Sequence, residues 1–413
     1  MSKKRSHKKR SHMSKVRAVG SKDQLPEAEV LPHFRVFKTP PSDFNVMTAS
    51  ERELLVYGLP PRPNERTHPR LAAKWQRIAE QRPHFIRPDL RVMPSKRRTI
   101  DRDLIVRREI ADRELARYHE KLAFKYTGEA ITDTDIDIHR ILAEWFALKY
   151  TGEKMADIDI DWILTRMIPE TSGIWSGAYV KRPIAEPLMT VTGEWRVPGV
   201  NPPPSAWNKT GYDDDTYMCA VWVGIDGTQG TSDVMQAGTV SECVVSGGKV
   251  TSRRFSAWTE WFSGPSAYVH NFPVEVGDLI SCTVCAPFGT THGTAMFNNL
   301  TSGATTNVGI DPPESTNLVG NVAEWIVEDP SKRGGGPYPF PDYGSTFFSD
   351  CIAGSKNIEL DLGSAREIDM VDAASKNVIS TATIESKRTL LCRYTGYRGA
   401  MVPRPPAWVS PGP

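Results

Sequence analysis

The fold is decided by a short apolar stretch that carries acids, Ala323–Asp329, with the sequence AEWIVED. In a β-strand, side chains alternate between two faces, so Glu324 and Glu328 share one face while Trp325 and Val327 share the other. A carboxylate among Trp, Ile and Val is costly to bury. Proteins that bury one often use it, because its pKa is then shifted toward a working value. This stretch therefore predicts a strand with one core face and one chemically active face.

The surrounding sequence, residues 171–396, has the texture of an all-β domain. Charged residues become sparse, and short alternating runs are separated by Gly, Pro and Asn turns. The regular spacing predicts two packed antiparallel sheets, a β-sandwich. The predicted strands are Leu188–Val197, Thr216–Ile225, Val234–Val245, Lys249–Phe262, Asp278–Ala286, Gly293–Asn299, Val322–Val327, Ser345–Cys351 and Val378–Glu385.

The other regions of the 413-residue chain differ in composition, as expected for two or three domains. Residues 1–70 are rich in Pro and basic residues and are predicted to be a largely irregular leader or linker. Residues 71–168 are predicted to be helical and contain a repeat, KYTGE at 125–129 and again at 149–153. The acids after each repeat are interpreted as helix starts, in preference to a calcium loop. Residues 397–413 form a Pro-rich tail, and the composition break predicts that the β domain from residue 171 folds alone.

Charge and hydropathy restrict the partners. The net charge of +2 is uninformative, but the first 20 residues contain many Lys and Arg and no acid. A solvated leader is the preferred interpretation of this run, and a nucleic-acid-binding arm is the alternative. We find no apolar run long enough for a signal peptide or a membrane span. The six cysteines all follow residue 200, and their sequence leaves open whether they are buried thiols or disulfides.

Two side chains could act together on a water molecule. Gln236 lies in an alternating run between small residues and carries both a hydrogen-bond donor and an acceptor, so it could hold a water or an oxyanion. Glu324 could take a proton from water and return it to a leaving amine. The alternative interpretation, a solvent-exposed Gln and two exposed acids on half-buried strands, is the commoner case for such residues.

Aromatic and acidic side chains alternate on two further strands. Trp222 and Asp226 share a face of one strand, and Trp258 and Glu260 share a face of another. Such surfaces suit an extended polymer, either a peptide or a glycan. The alternative is that these Trp residues only fill the core.

Several of these motifs together resemble the glutamic peptidases, or eqolisins. The matching segments run from Trp175 to Gly344 and include WVGIDG at 222–227, QAG at 236–238, AWTEWF at 257–262 and AEWIVED at 323–329. The resemblance implies a β-sandwich of the lectin and glucanase type, with substrate lying across its concave sheet. This sequence departs from the family pattern at Ala237, where the family usually has Thr, and at Pro330, which directly follows the AEWIVED stretch.

The resemblance implies a function and the residues that perform it. Gln236 and Glu324 would form a catalytic dyad that hydrolyses peptide bonds at acidic pH. The cleft would be lined by Trp222, Asp226, Trp258 and Glu260. We expect the dyad on facing or adjacent strands of one sheet, a polypeptide substrate, no metal or organic cofactor, and a monomer. The alternative function is a catalytically silent sandwich that binds peptide or glycan.

Overall fold

The computed structural model describes residues 28–94, 169–182, 186–231, 233–287, 289–313, 316–330, 332, 338–372 and 377–396. Over these residues the protein is mainly β, which confirms the mainly β part of the predicted fold class. The two helices are α1 (Glu51–Val56) and α2 (Pro69–Glu80). The helix α1 begins with a capping box, in which Ser50 and Glu53 satisfy each other's backbone N–H groups.

The strands fall into two groups by position in the chain. The N-terminal strands are β1 (Ala28–Leu31), β2 (Phe34–Phe37), β3 (His84–Phe85) and β4 (Leu90–Met93). The later strands are β5 (Glu170–Ser172), β6 (Trp175–Lys181), β7 (Thr190–Arg196), β8 (Trp207–Asn208), β9 (Gly211–Tyr212), β10 (Thr216–Asp226), β11 (Val234–Ser246), β12 (Lys249–Phe262), β13 (Ser266–Val269), β14 (Leu279–Cys285), β15 (Gly293–Asn299), β16 (Ala304–Ile310), β17 (Val322–Glu328), β18 (Ser345–Gly354), β19 (Glu359–Asp361), β20 (Arg366–Val371), β21 (Val378–Ser386) and β22 (Thr389–Tyr394).

Strand pairing is continuous. Apart from the β8–β9 hairpin, the described strands belong to one 20-stranded hydrogen-bonded sheet, mostly antiparallel. One series of neighbours, here called the front strands, runs β4–β13–β12–β11–β10–β17–β6–β20. The other, the back strands, runs β16–β15–β14–β7–β18–β22–β21. Because β21 also pairs with β20, the pairing does not separate into the two sheets expected from sequence.

The main core contains side chains from both the front and the back strands. The indole of Trp325 on β17 donates to the carbonyl of Thr192 on β7 at 2.8 Å. The indole of Trp195 on β7 donates to the hydroxyl of Thr239 on β11 at 2.9 Å. Both Trp side chains are fully buried. These bonds satisfy the polar atoms of large apolar side chains, as buried Trp generally requires.

The N-terminal residues 28–93 are part of this fold, whereas the sequence assigned residues 1–70 to a leader or linker; α2 lies where the predicted helical region begins. Strand β2 pairs with β16, and Phe34 enters the main core. Strand β4 pairs with β13 and so extends the front strands. Their short length and the surrounding Pro and basic residues hide these strands from a pattern analysis. A β domain that starts at residue 171 would therefore lose strands and core side chains.

The helix α2 is docked by charged side chains. Arg77 contacts Glu194 of β7 at 2.6 Å and Asp350 of β18 at 2.7 Å. The buried ammonium of Lys74 also faces Glu194, at 3.3 Å. The nearby cations hold the pKa of Glu194 below its ordinary value, although burial alone would raise it. A buried carboxylate and its cations thus join the N-terminal region to the back strands.

The remaining sequence predictions fall partly outside the described residues. All six cysteines are described, and they are buried free thiols. The KYTGE repeats, most of the predicted helical region and the Pro-rich tail lie outside the described residues. Within the part of the chain that is described, we find no helix with the length and apolarity needed to cross a membrane.

Candidate active site

The two predicted catalytic side chains lie in one row across the front strands. Gly224 of β10 is paired with Gln236 of β11 on one side and with Glu324 of β17 on the other. Directly opposed residues of antiparallel strands point to the same face. Gln236 and Glu324 therefore share a face and are separated by two strand spacings, about 9.5 Å between their backbones. Sequence analysis expected adjacent or facing strands, whereas β10 lies between them.

Gly224 keeps the space between the two side chains open. A Cβ atom at this position would lie 2.8 Å from the ring of Trp222 and 3.2 Å from the Cβ of Gln236. A distance below about 3 Å requires a shift of the neighbour, so any other residue would fill the gap. The glycine thus leaves room for a third group between the amide and the carboxyl.

The orientation of the Gln236 amide is fixed by Glu260. These residues are opposed on β11 and β12, and the Gln236 Nε2 donates to Glu260 Oε2 at 3.0 Å. A carboxylate only accepts hydrogen bonds, so the NH₂ group must face it. Gln236 Oε1 is buried and has no hydrogen-bond partner among the described residues. The carbonyl end of the amide and its second N–H are therefore available to a ligand.

The side chain of Glu324 is a fully buried carboxyl. Neither of its oxygens has a hydrogen-bond partner within the described part of the chain. Burial, followed by the nearby charges of Asp226 and Glu328, raises the pKa of Glu324 well above its ordinary value. An unpaired buried carboxyl is costly to fold, and such shifts are concentrated at functional sites.

Aromatic side chains form one wall of the site. Trp222 is fully buried, and its indole donates to Glu328 at 2.8 Å. The ring of Trp175 meets it edge-on, with 5.4 Å between centroids. Trp258 lies opposite Gly238 on the same face as Gln236. The predicted cleft residues Trp222, Trp258 and Glu260 are thus brought together around the Gln236–Glu324 row.

Asp226 has a different environment from the other predicted cleft residues. It ends β10 with a positive φ of 71°, and its carboxylate accepts the backbone N–H groups of Val319, Gly320 and Asn321 at 2.7–2.8 Å. Burial nevertheless raises its pKa. These bonds hold the segment that leads into β17, so Asp226 positions the strand of Glu324.

Tyr179 is a neighbour that sequence analysis missed. It lies opposite Glu324 on β6 and is buried. Its hydroxyl donates to Glu170 at 2.8 Å and accepts from Gln229 at 2.9 Å. The alternation in Trp175–Lys181 was the available signal, but this run was not recognised as a strand.

Comparison with known proteins agrees with the resemblance. A model of the peptidase A4 family matches residues 173–394. The chain belongs to the peptidase A4 family. It is 30% identical over 197 residues to aspergillopepsin-2 of Aspergillus niger, which covers 45% of this chain and 66% of that protein. It is 27% identical over 179 residues to scytalidopepsin B of Scytalidium lignicola, covering 42% and 64%. The chain thus spans slightly less than two thirds of the length of these curated relatives.

Solved structures of similar proteins include two peptidases. Scytalido-glutamic peptidase, with a transition-state analog inhibitor, aligns with a TM-score of 0.44 and 23% identity, over 54% of this chain and 98% of that chain. Aspergilloglutamic peptidase from Aspergillus niger aligns with a TM-score of 0.38 and 26% identity, over 43% and 99%.

Proposed function

We propose that this protein is a glutamic endopeptidase whose dyad is Gln236 and Glu324. The observation that carries the proposal is their common row across Gly224, with acceptor atoms on both side chains buried and unpartnered. Membership of the peptidase A4 family supports the same reaction. A polypeptide is then the substrate, and Trp222 and Trp258 line its binding surface.

In the proposed mechanism a water molecule occupies the space above Gly224. Ionised Glu324 takes a proton from this water, whose oxygen bonds to the scissile carbonyl carbon. The carbonyl oxygen becomes an oxyanion, which accepts a hydrogen bond from the N–H of Gln236 that Glu260 does not use. The protonated Glu324 then gives its proton to the departing amine as the carbon–nitrogen bond breaks.

The protonation state of Glu324 in this mechanism depends on whether solvent reaches its carboxyl group. The closed environment raises the pKa of Glu324 and favours its neutral form. A general base must be ionised, so the mechanism requires water to reach this face and solvate the carboxylate, which reduces the desolvation that raises its pKa. Hydrolysis at acidic pH is part of the proposal and requires this solvated state.

We also infer that the front and back strands form the two layers of a sandwich, with the dyad on the outer side of the front layer. The indole bonds of Trp325 and Trp195 across the core support this arrangement. A substrate would then lie across the front strands, above Gly224.

The test is hydrolysis of a denatured protein by the full chain between pH 2 and pH 7. Glu324→Gln and Gln236→Ala should each lower kcat by about 10²- to 10³-fold, the loss expected for one such catalytic group, without unfolding the protein. Glu275→Gln, an exposed carboxylate far along the chain from the dyad, is the matched control and should retain activity. Pepstatin and EDTA should not inhibit.

The same assay separates the alternative function. A silent binding module would bind the peptide without any cleavage, and the dyad variants would not differ from the wild-type protein in product formed. Near wild-type activity in either dyad variant would contradict the proposed mechanism.

A further inference from the structure

The strand β4 places N-terminal side chains beside the candidate active site. It pairs with β13 at one end of the front strands. Leu90 and Val92 pack against the main core. Since side chains alternate along a strand, Arg91 and Met93 point to the opposite face.

Strand register identifies that face. Arg91 is opposed to Tyr268, Tyr268 to Trp258, and Trp258 to Gly238. This row lies next to the one that contains Gln236. The side chain of Arg91 is therefore on the face of the dyad, four strand spacings or about 19 Å from the backbone of β10, which carries Gly224. An extended peptide advances about 3.3 Å per residue, so this distance corresponds to about six residues.

The charges of the face explain what an arginine there would bind. The dyad face contains the acids Glu260, Glu324 and Glu328, which disfavour acidic substrate side chains close to the scissile bond. Two other arginines on the front strands are already paired, Arg254 with Glu242 and Arg366 with Glu170. Arg91 is exposed, and the described residues offer it no ion pair within 4 Å. Its guanidinium is therefore available to bind a carboxylate with two parallel hydrogen bonds.

We propose that Arg91 is a specificity-determining residue that binds an acidic side chain of the substrate, about five to seven residues from the scissile bond. This inference rests on the proposed function, since it places a peptide across the front strands. Arg91 lies outside residues 173–394, which match the family. The N-terminal region would thus add a substrate contact of its own to the peptidase face.

The experiment measures peptide binding to the full chain that carries Glu324→Gln, so that the readout does not depend on cleavage. Matched peptides carry Glu, Gln or Lys at the position that the proposal places against Arg91. They are compared at pH 6, where a Glu side chain is ionised, and at low salt, where ion pairs are least screened. The Glu peptide should bind about three- to tenfold more tightly than the Lys peptide, as expected for a partly exposed ion pair. Arg91→Glu should reverse this preference, and Arg91→Lys should retain part of it.

Arg87→Glu is the matched control. Arg87 is in the same segment, is exposed, and pairs with Glu29 away from the front strands. The Arg87→Glu variant changes the net charge by the same amount as Arg91→Glu. Because its site is away from the front strands, it should leave the preference between peptides unaltered. An equal effect of the Arg87 and Arg91 variants, no effect of either, or no binding of any peptide would overturn the inference.

The peptide contact of Arg91 and the peptidase activity can be disproved independently. In one outcome, the wild-type chain cleaves the peptides, and the ratio of kcat/KM for the Glu peptide to that for the Lys peptide is the same in wild type and Arg91 variants. This result overturns the inference and leaves the peptidase function intact. Arg91-dependent binding without any cleavage by the wild-type chain overturns the peptidase function and leaves the peptide contact of Arg91 intact.

Discussion

Replacement of Asp329 by Asn should stabilise the protein at neutral pH. Asp329 directly follows β17, is 7% exposed, and its Oδ1 has no hydrogen-bond partner among the described residues. Burial, together with the adjacent charge of Glu328, raises the pKa of Asp329 to about 8. In the unfolded chain the same carboxyl ionises near its ordinary value of 3.8.

The magnitude follows from the two pKa values. The folded state holds a proton that the unfolded state releases between about pH 4 and pH 8, so folding becomes less favourable as pH rises through this range. Each pKa unit corresponds to about 1.4 kcal/mol, which gives a cost on the order of 4 kcal/mol at pH 7 and less than about 1 kcal/mol at pH 4. Asn does not ionise and removes this pH-dependent cost. It introduces an amide whose unpaired groups cost about 1–3 kcal/mol, independent of pH.

The assay is urea denaturation of wild-type and Asp329→Asn protein at pH 4 and pH 7. The difference in the free energy of unfolding between variant and wild type should increase by about 4 kcal/mol between these values, because the constant cost of the amide cancels. Asp214→Asn is the control: backbone N–H groups of Gly248 and Gly247 lower the pKa of exposed Asp214, so its stabilising effect is already largely present at pH 4, and the difference for this variant should change little between pH 4 and pH 7. A difference for Asp329→Asn that does not change with pH would refute the reasoning.

Three further changes test other parts of the structure. Gly224→Ala should abolish most activity and lower the free energy of unfolding by about 1–3 kcal/mol, because the added Cβ meets Trp222 and Gln236. Gly199→Ala is the control, and both variants are checked by enzyme assay and thermal denaturation. Glu260→Ala should lower kcat about tenfold or more with little change in stability, whereas Glu260→Gln, which keeps an acceptor for the Gln236 amide, should retain more of the rate. Glu194→Gln should destabilise the protein by about 3–5 kcal/mol in urea denaturation, because it leaves buried Lys74 without its anion, and an unchanged midpoint would contradict the role of this pair in docking α2.

Much of the β domain could be predicted from sequence because its strands alternate clearly. Lys249–Phe262 and Gly293–Asn299 match the observed strands residue for residue. Strands such as Ala304–Ile310 were missed since all seven residues are buried, which removes the alternation between polar and apolar residues. The N-terminal strands were missed for a different reason. They are only two to four residues long, and β2, β3 and β4 pair with strands that are distant in the chain.

The residues of the candidate site could be named from sequence, but their environments could not. Period two placed Gln236 and Glu324 on strand faces, but cross-strand register decides which residues meet, and it is set by long-range pairing. Asp226 illustrates the limit. Its position in WVGIDG was interpreted as cleft lining, whereas its carboxylate holds three backbone N–H groups of a segment more than ninety residues later.

The separation of Gln236 and Glu324 by one strand has a chemical consequence. On directly adjacent strands, an amide and a carboxyl at opposed positions lie about 5 Å apart and readily bond to each other. Such a pair would be satisfied and would have little affinity for a third group. Here β10 intervenes with a glycine, and Glu260 uses one N–H of the amide. In this structure Gln236 Oε1 and both oxygens of Glu324 have no hydrogen-bond partner among the described residues, although the two backbones lie only about 9.5 Å apart. The strand order thus leaves acceptor atoms of both side chains open toward the space above Gly224, where the proposed water and scissile peptide would bind.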